Sequence, residues 1–242
     1  MQDIAQNSNR NWIPEPFQPS ADALAADTIS KYVNQNTVIG LGSGPMAAAI
    51  VRALGKFPKK DSLRCIVTSQ QIKLEAIRSG LEIIDENRMK EIDVVFDGAD
   101  EIDSNFNMIK GGGGALLREK VVHSAAKMIV IAAESSKFVR QFTWPVPVEV
   151  HPFALSIVSS KLIENAGKPQ LRMLREGYPY ITENGNLILD THFELARVDI
   201  QKKEIEVRNI PGVQEVGLFS RKADVYYKAK TDGTFEAIEA KK

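Results

Sequence analysis

The chain has a single cysteine, Cys65, in 242 residues. That excludes an intrachain disulfide framework and a cysteine-rich zinc site. Cys65 lies inside an apolar run and is expected to be buried and inert. Histidine is nearly as scarce: His123, His151 and His192 stand far apart, which leaves no histidine-built metal cage. His123 falls on a helix face and His151 in a proline-flanked turn, with no nucleophilic partner visible for either. Excess charge is also missing, since 31 Lys and Arg balance 31 Asp and Glu. A balanced chain argues against nucleic acid or an anionic membrane as partner. No apolar run approaches the roughly 20 residues of a membrane span. The opening MQDIAQNSNRNW is polar and lacks the basic-then-apolar order of a secretion signal. A soluble, cytoplasmic, metal-free protein is the expectation.

What is present suits a folded domain. Hydrophobic residues make up 43% and charged residues 26% of the chain, and the length is enough to bury a core without covalent staples. Pro14, Pro16 and Pro19 punctuate the first twenty residues and oppose a helix there; residues 1–19 read as an arm. Ser20 is placed to cap an amphipathic helix running to Tyr32. Apolar strand-like runs at 37–41, 63–68, 92–96 and 128–133 then alternate with helical stretches at 46–54, 70–79 and 115–126. Continuous apolar strands spaced by helices imply a parallel sheet covered on both faces, and ligands of such sheets sit beyond the strands' carboxyl ends.

The character changes near Trp144, where Pro145, Pro147 and Pro152 mark a connection. A helix over 153–166, a hairpin of 178–182 with 187–190 around Asn184-Gly185, a charged helix over 201–209 and a strand over 213–219 make an α+β unit. A final hairpin spans 224–230 and 234–238. The expected division is 20–145 with 220–242 as a Rossmann-like α/β domain with a mainly parallel sheet, and 146–219 as a smaller inserted α+β domain.

The chemistry-bearing stretches all fall at strand ends. Gly40-Leu-Gly-Ser-Gly-Pro-Met46 joins a strand to a helix, and glycines there let backbone amides approach an anion. It is not the dinucleotide fingerprint, because Pro45 stands where the third glycine belongs. Asp97-Gly-Ala-Asp100-Glu101, with Asp103 close behind, packs four carboxylates into seven residues. They could hold sugar hydroxyls, bind Mg²⁺, or build a solvated turn. Lys110 precedes four consecutive glycines, Gly111 to Gly114. Such a run is entropically costly to order and suits a backbone that wraps closely on a ligand. Glu119 lies in the following helix, able to look back at the loop or to pair with a neighbouring cation on the surface. Lys137, in Glu134-Ser-Ser-Lys137, is a further strand-end cation or an ordinary surface lysine.

Taken together these stretches stop being independent. Thr68-Ser69, Asp97-Gly-Ala-Asp-Glu-Ile-Asp103, Met108-Ile-Lys-Gly-Gly-Gly-Gly114, Arg118-Glu-Lys120, Ser136-Lys137, Pro147-Val-Glu-Val150, Asp190 after Asn184-Gly-Asn186, and Ile210-Pro-Gly-Val213 before Gly217-Leu-Phe219 occur in one order. That order resembles type A ribose-5-phosphate isomerase from about Asp22 to about Gly233. The resemblance implies interconversion of D-ribose 5-phosphate and D-ribulose 5-phosphate in the non-oxidative pentose phosphate pathway. It implies no metal and no organic cofactor, and a homodimer or homotetramer. It assigns Glu119 as the proton-transferring base, with Asp97, Asp100 and Lys110 as catalytic sugar-handling residues. Gly98, Ala99, Gly111, Gly112, Gly113 and Lys137 become substrate-binding positions, and Ser43, Gly44, Pro45 and Met46 the phosphate-side loop.

The residue types fit the reaction. Aldose–ketose exchange moves one proton between adjacent carbons through an enediolate, which one carboxylate can take and return. Lys110 and the glycine amides suit the developing oxyanion, and a partly desolvated base has a raised pKa. The departures gather at the phosphate end. The family has a Thr-Gly-Ser-Thr type sequence where this chain has Ser43-Gly44-Pro45-Met46, and often a lysine near the position of Asp22. A related isomerase with altered far-end specificity, and a non-catalytic sugar-phosphate sensor of the same fold, are the alternatives. A sensor has no need of a base, and Glu119 is retained.

Overall fold

The computed structural model describes residues 13–88 and 90–240, so most of the arm expected over 1–19 lies outside the described residues. In chain order the elements are α1 (Gln18–Tyr32), β1 (Val38–Leu41), α2 (Pro45–Leu54), β2 (Arg64–Val67), α3 (Gln70–Arg78), β3 (Ile92–Asp97), β4 (Glu101–Ile102) and β5 (Met108–Ile109). Then come α4 (Leu116–Ser124), β6 (Ala126–Glu134), β7 (Val146–Val150), α5 (Leu155–Glu164), β8 (Lys168–Leu171) and β9 (Leu187–His192). The last are α6 (Ile200–Arg208), β10 (Val213–Val216), β11 (Leu218–Phe219), β12 (Val225–Ala229) and β13 (Phe235–Glu239). Short 3₁₀ turns fill several of the connections.

The start of α1 differs from the sequence expectation. The helix begins at Gln18 with Pro19 in its first turn, where a missing N–H costs nothing. Ser20 is therefore inside the helix and not its cap; its hydroxyl donates back to the Phe17 carbonyl at 2.9 Å. Ile13, ahead of the helix, is buried in the core.

The main sheet has the order β13-β12-β6-β3-β1-β2. Every pairing in it is parallel except β12 with β13. Apolar side chains alternate between its two faces, as the pleat requires. Leu41, Phe96, Val130 and Tyr227 pack with α1 and α2 on one face. Val95, Ile129, Ile131 and Tyr226 pack with Val122 of α4 on the other. The chain runs from β1 outward to β2 and then crosses back to β3 on the other flank of β1. Strand order thus reverses between β1 and β3, and the crevice beyond their carboxyl ends is where sheets of this kind take ligands.

A second sheet, β10-β7-β9-β8, is antiparallel throughout and encloses its own apolar cluster with Val158, Leu162 and Val207 of α5 and α6. Three expectations are corrected here. Residues 146–150 are a strand despite Pro147, because Pro147 lies past the last rung of the β10 ladder and its missing donor is not called on there. Residues 178–182 form only isolated bridges, and Tyr180 and Thr182 turn their hydroxyls to Gly113 and Glu149. The expected strand over 213–219 breaks at Gly217 and changes sheet, β10 pairing with β7 and β11 with β5. A Cβ at Gly217 would lie 2.3 Å from the Lys110 carbonyl oxygen, so only glycine lets the chain pass from the second sheet into a third, three-stranded one, β11-β5-β4, beside Lys110.

Candidate active site

The crevice between β1 and β3 is a cleft of about 420 Å³ lined by Ser43, Gly44, Pro45, Met46, Gly98, Ala99, Asp100, Lys110, Gly111, Gly112, Gly113, Glu119 and Lys137, with Pro14, Gln71, Ala132 and Glu134. A larger cleft of about 580 Å³ lies elsewhere, beside Asp103, Arg140, Asp199 and Lys222. The charged side chains of that larger cleft are exposed or half-exposed, whereas the smaller one is floored by buried ionisable groups. The chemistry belongs to the smaller cleft.

At the end of β3, Asp97 is wholly buried. Its Oδ2 receives Lys110 Nζ at 2.9 Å and His123 Nε2 at 2.8 Å, and its Oδ1 receives the Gly98 amide at 2.7 Å. Lys110 follows β5. Its chain is anchored by the Lys110 N–H to Gly217 carbonyl bond at 2.9 Å, and its ammonium also donates to the Gly98 carbonyl at 2.6 Å. Glu119 sits early in α4, with Oε2 standing 3.2 Å from Lys110 Nζ. That is ion-pair range, but the angle misses a hydrogen bond, and Oε2 has no hydrogen-bond donor among the described residues. Lys110 and Glu119 are 2% and 4% exposed.

Burial and charge set the ionisation. Burial raises the Glu119 carboxyl, the Asp97 charge raises it further, and Lys110 only partly opposes them, leaving it at about 8. For Asp97 burial acts in the same direction, but Lys110 and His123 outweigh it and hold the group below the usual carboxylate range. Burial disfavours the Lys110 ammonium, yet Asp97 and Glu119 more than compensate and raise it. Burial keeps His123 below its ordinary range despite Asp97, so it is a neutral imidazole. An ionised Asp97 only accepts, so the imidazole proton is on Nε2. The result is one carboxylate held charged and another, close by, held protonated up to mildly alkaline pH, the pairing that general acid–base sites use.

The four clustered carboxylates divide. Asp100 faces the cleft and accepts the Gly112 amide at 2.7 Å. Glu101 is buried and accepts from the Thr143 hydroxyl and from the Thr143 and Trp144 amides. Asp103 closes its own hairpin by accepting from Asn105 and Asn107. Two of the four therefore serve the local fold. Asp97 departs from the expected sugar contact: it does not line the cleft and is covered by Lys110, His123 and Gly98, so it acts from behind Lys110.

The tetraglycine loop is also less free than expected. The Gly112 amide is taken by Asp100 and the Gly114 amide by the Gly111 carbonyl at 2.9 Å. Gly111 and Gly114 adopt φ of +103° and +82°, which glycine tolerates without strain. On the phosphate side, Pro45 opens α2 behind Gly44 at φ +100°. The Ser43 hydroxyl is drawn to Thr68 and Ser69, at 3.0 and 2.8 Å. Met46 is 3% exposed and packs in the core, so it offers the cleft only its backbone. Lys137 reaches the rim with its ammonium 5.0 Å from the Trp144 ring centre. Asp22, expected near the phosphate, instead lines a separate groove between α1 and α2.

Several members escaped the sequence reading. His123 carried a signal only in its helical spacing from Glu119, one turn on. Gly42 follows β1, and a Cβ there would fall 1.9 Å from Asp97 Oδ1. Arg172 and Tyr180 reach the glycine loop from more than 50 residues away, a contact no local pattern encodes.

Comparison with known proteins agrees with this geometry. The model of the ribose 5-phosphate isomerase A (phosphoriboisomerase A) family matches residues 64–233. A ribose-5-phosphate isomerase A of Methanosarcina acetivorans is 38% identical over 238 residues, covering 97% of this chain and 100% of its own. Ribose 5-phosphate isomerase A of Methanocaldococcus jannaschii superposes with a TM-score of 0.84 at 31% identity, over 91% of this chain and 98% of that one. A D-ribose-5-phosphate isomerase solved in complex with phospho-erythronic acid gives 0.84 at 35% identity over the same shares. A match of this breadth, over a cleft with the matching chemistry, makes the chain a member of the ribose 5-phosphate isomerase A family.

Proposed function

We propose that Glu119 is the base that shuttles the proton between C1 and C2 as D-ribose 5-phosphate and D-ribulose 5-phosphate interconvert. The observation that carries this is the Glu119 carboxyl, buried at the cleft floor, held near neutrality and 3.2 Å from the Lys110 ammonium. A base whose pKa lies near working pH both accepts and returns a proton efficiently. When Glu119 takes the C2 proton it becomes neutral, and the Lys110 ammonium loses one of its anionic partners. The same step creates negative charge on the enediolate oxygens, to which Lys110 is then free to donate. Asp97 keeps Lys110 charged and fixed from behind, and Asp100 accepts a sugar hydroxyl and steadies the open chain. Gly98, Ala99 and Gly111 to Gly113 form the wall along the sugar.

At the far end the α2 N-terminus and Lys137 receive the phosphate. The exposed amides of a helix start favour an anion, although Pro45 contributes none. Phospho-erythronic acid carries a planar carboxylate on a phosphorylated chain, a shape close to the enediolate, and it is expected to compete with substrate here. Residues 20–145 with 220–242 act as the catalytic domain and 146–219 as the smaller one. Action in the cytoplasm as a homodimer or homotetramer is in line with the family resemblance. Among the described residues no helix is long and apolar enough to cross a membrane. The test is a coupled assay of ribulose 5-phosphate formation from ribose 5-phosphate. Turnover supports the isomerase, and binding without turnover would favour the sensor alternative.

A further inference from the structure

We propose that Arg172, just past β8, and Tyr180, in the connection from β8 to β9, are positioning residues for the isomerisation. They hold the carbonyls of the tetraglycine turn so that the Gly113 amide faces the cleft as an oxyanion donor. This rests on the isomerase reading above.

Arg172 Nη1 donates to the Gly111 carbonyl at 2.8 Å and to the Gly112 carbonyl at 3.0 Å. The Tyr180 hydroxyl donates to the Gly113 carbonyl at 2.9 Å. Three successive carbonyls are thus held by two side chains of the β8–β9 connection. In a trans peptide the carbonyl and the following N–H point in opposite directions. For the first of these peptides the consequence is visible, since the Gly112 amide reaches Asp100 in the cleft wall at 2.7 Å. The next peptide is held at its carbonyl by the same nitrogen, which sends the Gly113 N–H to the same side. Among the described residues no acceptor meets that amide, and a Cβ built on Gly113 would have nothing within 4 Å. Gly113 lines the cleft, and the peptide geometry turns its amide toward that space.

Arg172 is itself fixed. Its Nε and Nη2 engage both oxygens of Asp190, and its guanidinium carbon lies 5.7 Å from the Tyr180 ring centre. A planar fork that grips a carboxylate on one edge and two carbonyls on the other is something Lys cannot reproduce. Tyr180 also packs so closely beneath the turn that a Cβ at Gly114 would lie 2.3 Å from its hydroxyl oxygen. Consecutive glycines have no side chains to set their own peptide planes, so an external clamp supplies the order that the sequence removes.

The test compares the native chain with Arg172→Lys, Arg172→Gln and Tyr180→Phe. It uses steady-state kinetics on ribose 5-phosphate and calorimetric binding of phospho-erythronic acid and of inorganic phosphate. Outright loss of one oxyanion donor costs about 10²–10³ in kcat, and misalignment costs less. Arg172→Gln is expected to lower kcat about 10- to 100-fold with KM within about threefold. Phospho-erythronic acid affinity should fall by a similar factor, and phosphate affinity should be unchanged. Arg172→Lys should not restore the loss, and Tyr180→Phe should cost about three- to tenfold. Native kcat in both Arg172→Gln and Tyr180→Phe, or a loss shared equally by phosphate binding and thermal stability, overturns the proposal. Should Arg172→Gln fail to fold, Tyr180→Phe, which removes one oxygen, decides alone. If the native chain binds phospho-erythronic acid but does not isomerise, the isomerase reading fails. The clamp is then overturned only if the variants bind that acid as the native chain does.

Discussion

The Lys110 ammonium lies 3.2 Å from Glu119 Oε2, with both side chains almost wholly buried, yet the carboxyl stays protonated to about pH 8. A cation at that distance ordinarily drives a carboxylate to ionise. Here Asp97 has a prior claim on the cation at 2.9 Å. Burial and the Asp97 charge then decide the state of Glu119. Most consequences of the site for pH and mutation follow from this one arrangement.

The pH dependence of catalysis is the first. Glu119 must be ionised in the free protein to remove a proton, and its carboxyl titrates at about 8. The value of kcat/KM on ribose 5-phosphate should therefore rise with pH through neutrality and level above about pH 8. A profile already flat at pH 6 would mean that the base is an ordinary carboxylate.

Stability should carry the opposite sign. The folded pKa of Glu119 is raised above the unfolded value of 4.5, so the folded state binds more protons between those limits and its stability falls as pH rises from 4.5 to about 8. Glu119→Gln does not titrate and escapes the loss. Its melting temperature should exceed the native value by a margin that widens from pH 5 to about pH 8 and levels off above it, with a ceiling slope of about 1.4 kcal/mol per pH unit. His123, kept neutral by burial, destabilises both proteins in acid and cancels in the difference. Parallel melting curves across this range would contradict the assignment of the shift.

The phosphate end gives a third test. Pro45 occupies the first position of α2 and brings no N–H. Pro45→Ser adds a donor amide and a hydroxyl where the anion is expected. Hydrogen bonds to a charged group are worth about 1.5–3 kcal/mol, so KM for ribose 5-phosphate should fall about tenfold or more while free ribose is unaffected. Met46→Thr is the poor choice of partner, because the Met46 side chain is buried in the core and its truncation costs about 2 kcal/mol or more of stability. A KM for the ester that is already low, and worsened by Pro45→Ser, would show that phosphate is bound by another route.

Gly42 provides a fourth. A methyl group there would lie 1.9 Å from Asp97 Oδ1, so Gly42→Ala must displace Asp97 or part β1 from β3. Either outcome frees Lys110. Activity is expected to fall at least 10²-fold, with a stability loss of about 1–3 kcal/mol for overpacking. Gly177→Ala makes the contrast, since a Cβ there meets nothing within 4 Å and Gly177 lies outside the cleft, so its cost is confined to the positive φ. Equal, mild effects from the two would mean that Gly42 is not the seat of Asp97.

Much of this was legible in the chain itself. The apolar runs ending at Leu41, Phe96 and Ala133, with glycine turns behind the first two, announced a parallel sheet with a site at its carboxyl edge. Asp100, Lys110 and Glu119 were placed together by motif order. Long-range geometry was not legible. The pattern at Asp97-Gly-Ala-Asp100-Glu101 cannot tell which carboxylate faces the cleft, because that depends on Thr143, Trp144 and Asn107 taking the others. Pro147 obscured β7 because proline argues against a strand unless its position past the β10 ladder is known. Arg172 reads as one more surface cation until the fold brings it to Gly111 and Gly112.

The most direct measurement follows hydrogen at C2. Native protein and Glu119→Gln are incubated with ribose 5-phosphate in D₂O, and deuterium at C2 is read by NMR alongside ribulose 5-phosphate formation. The native chain should form ribulose 5-phosphate and incorporate solvent deuterium at C2 of the returning aldose. Glu119→Gln, folded and still binding phospho-erythronic acid, should lose both, by about 10²–10⁴-fold or more. Exchange and turnover near the native rate in Glu119→Gln would place the base at another residue and contradict the account.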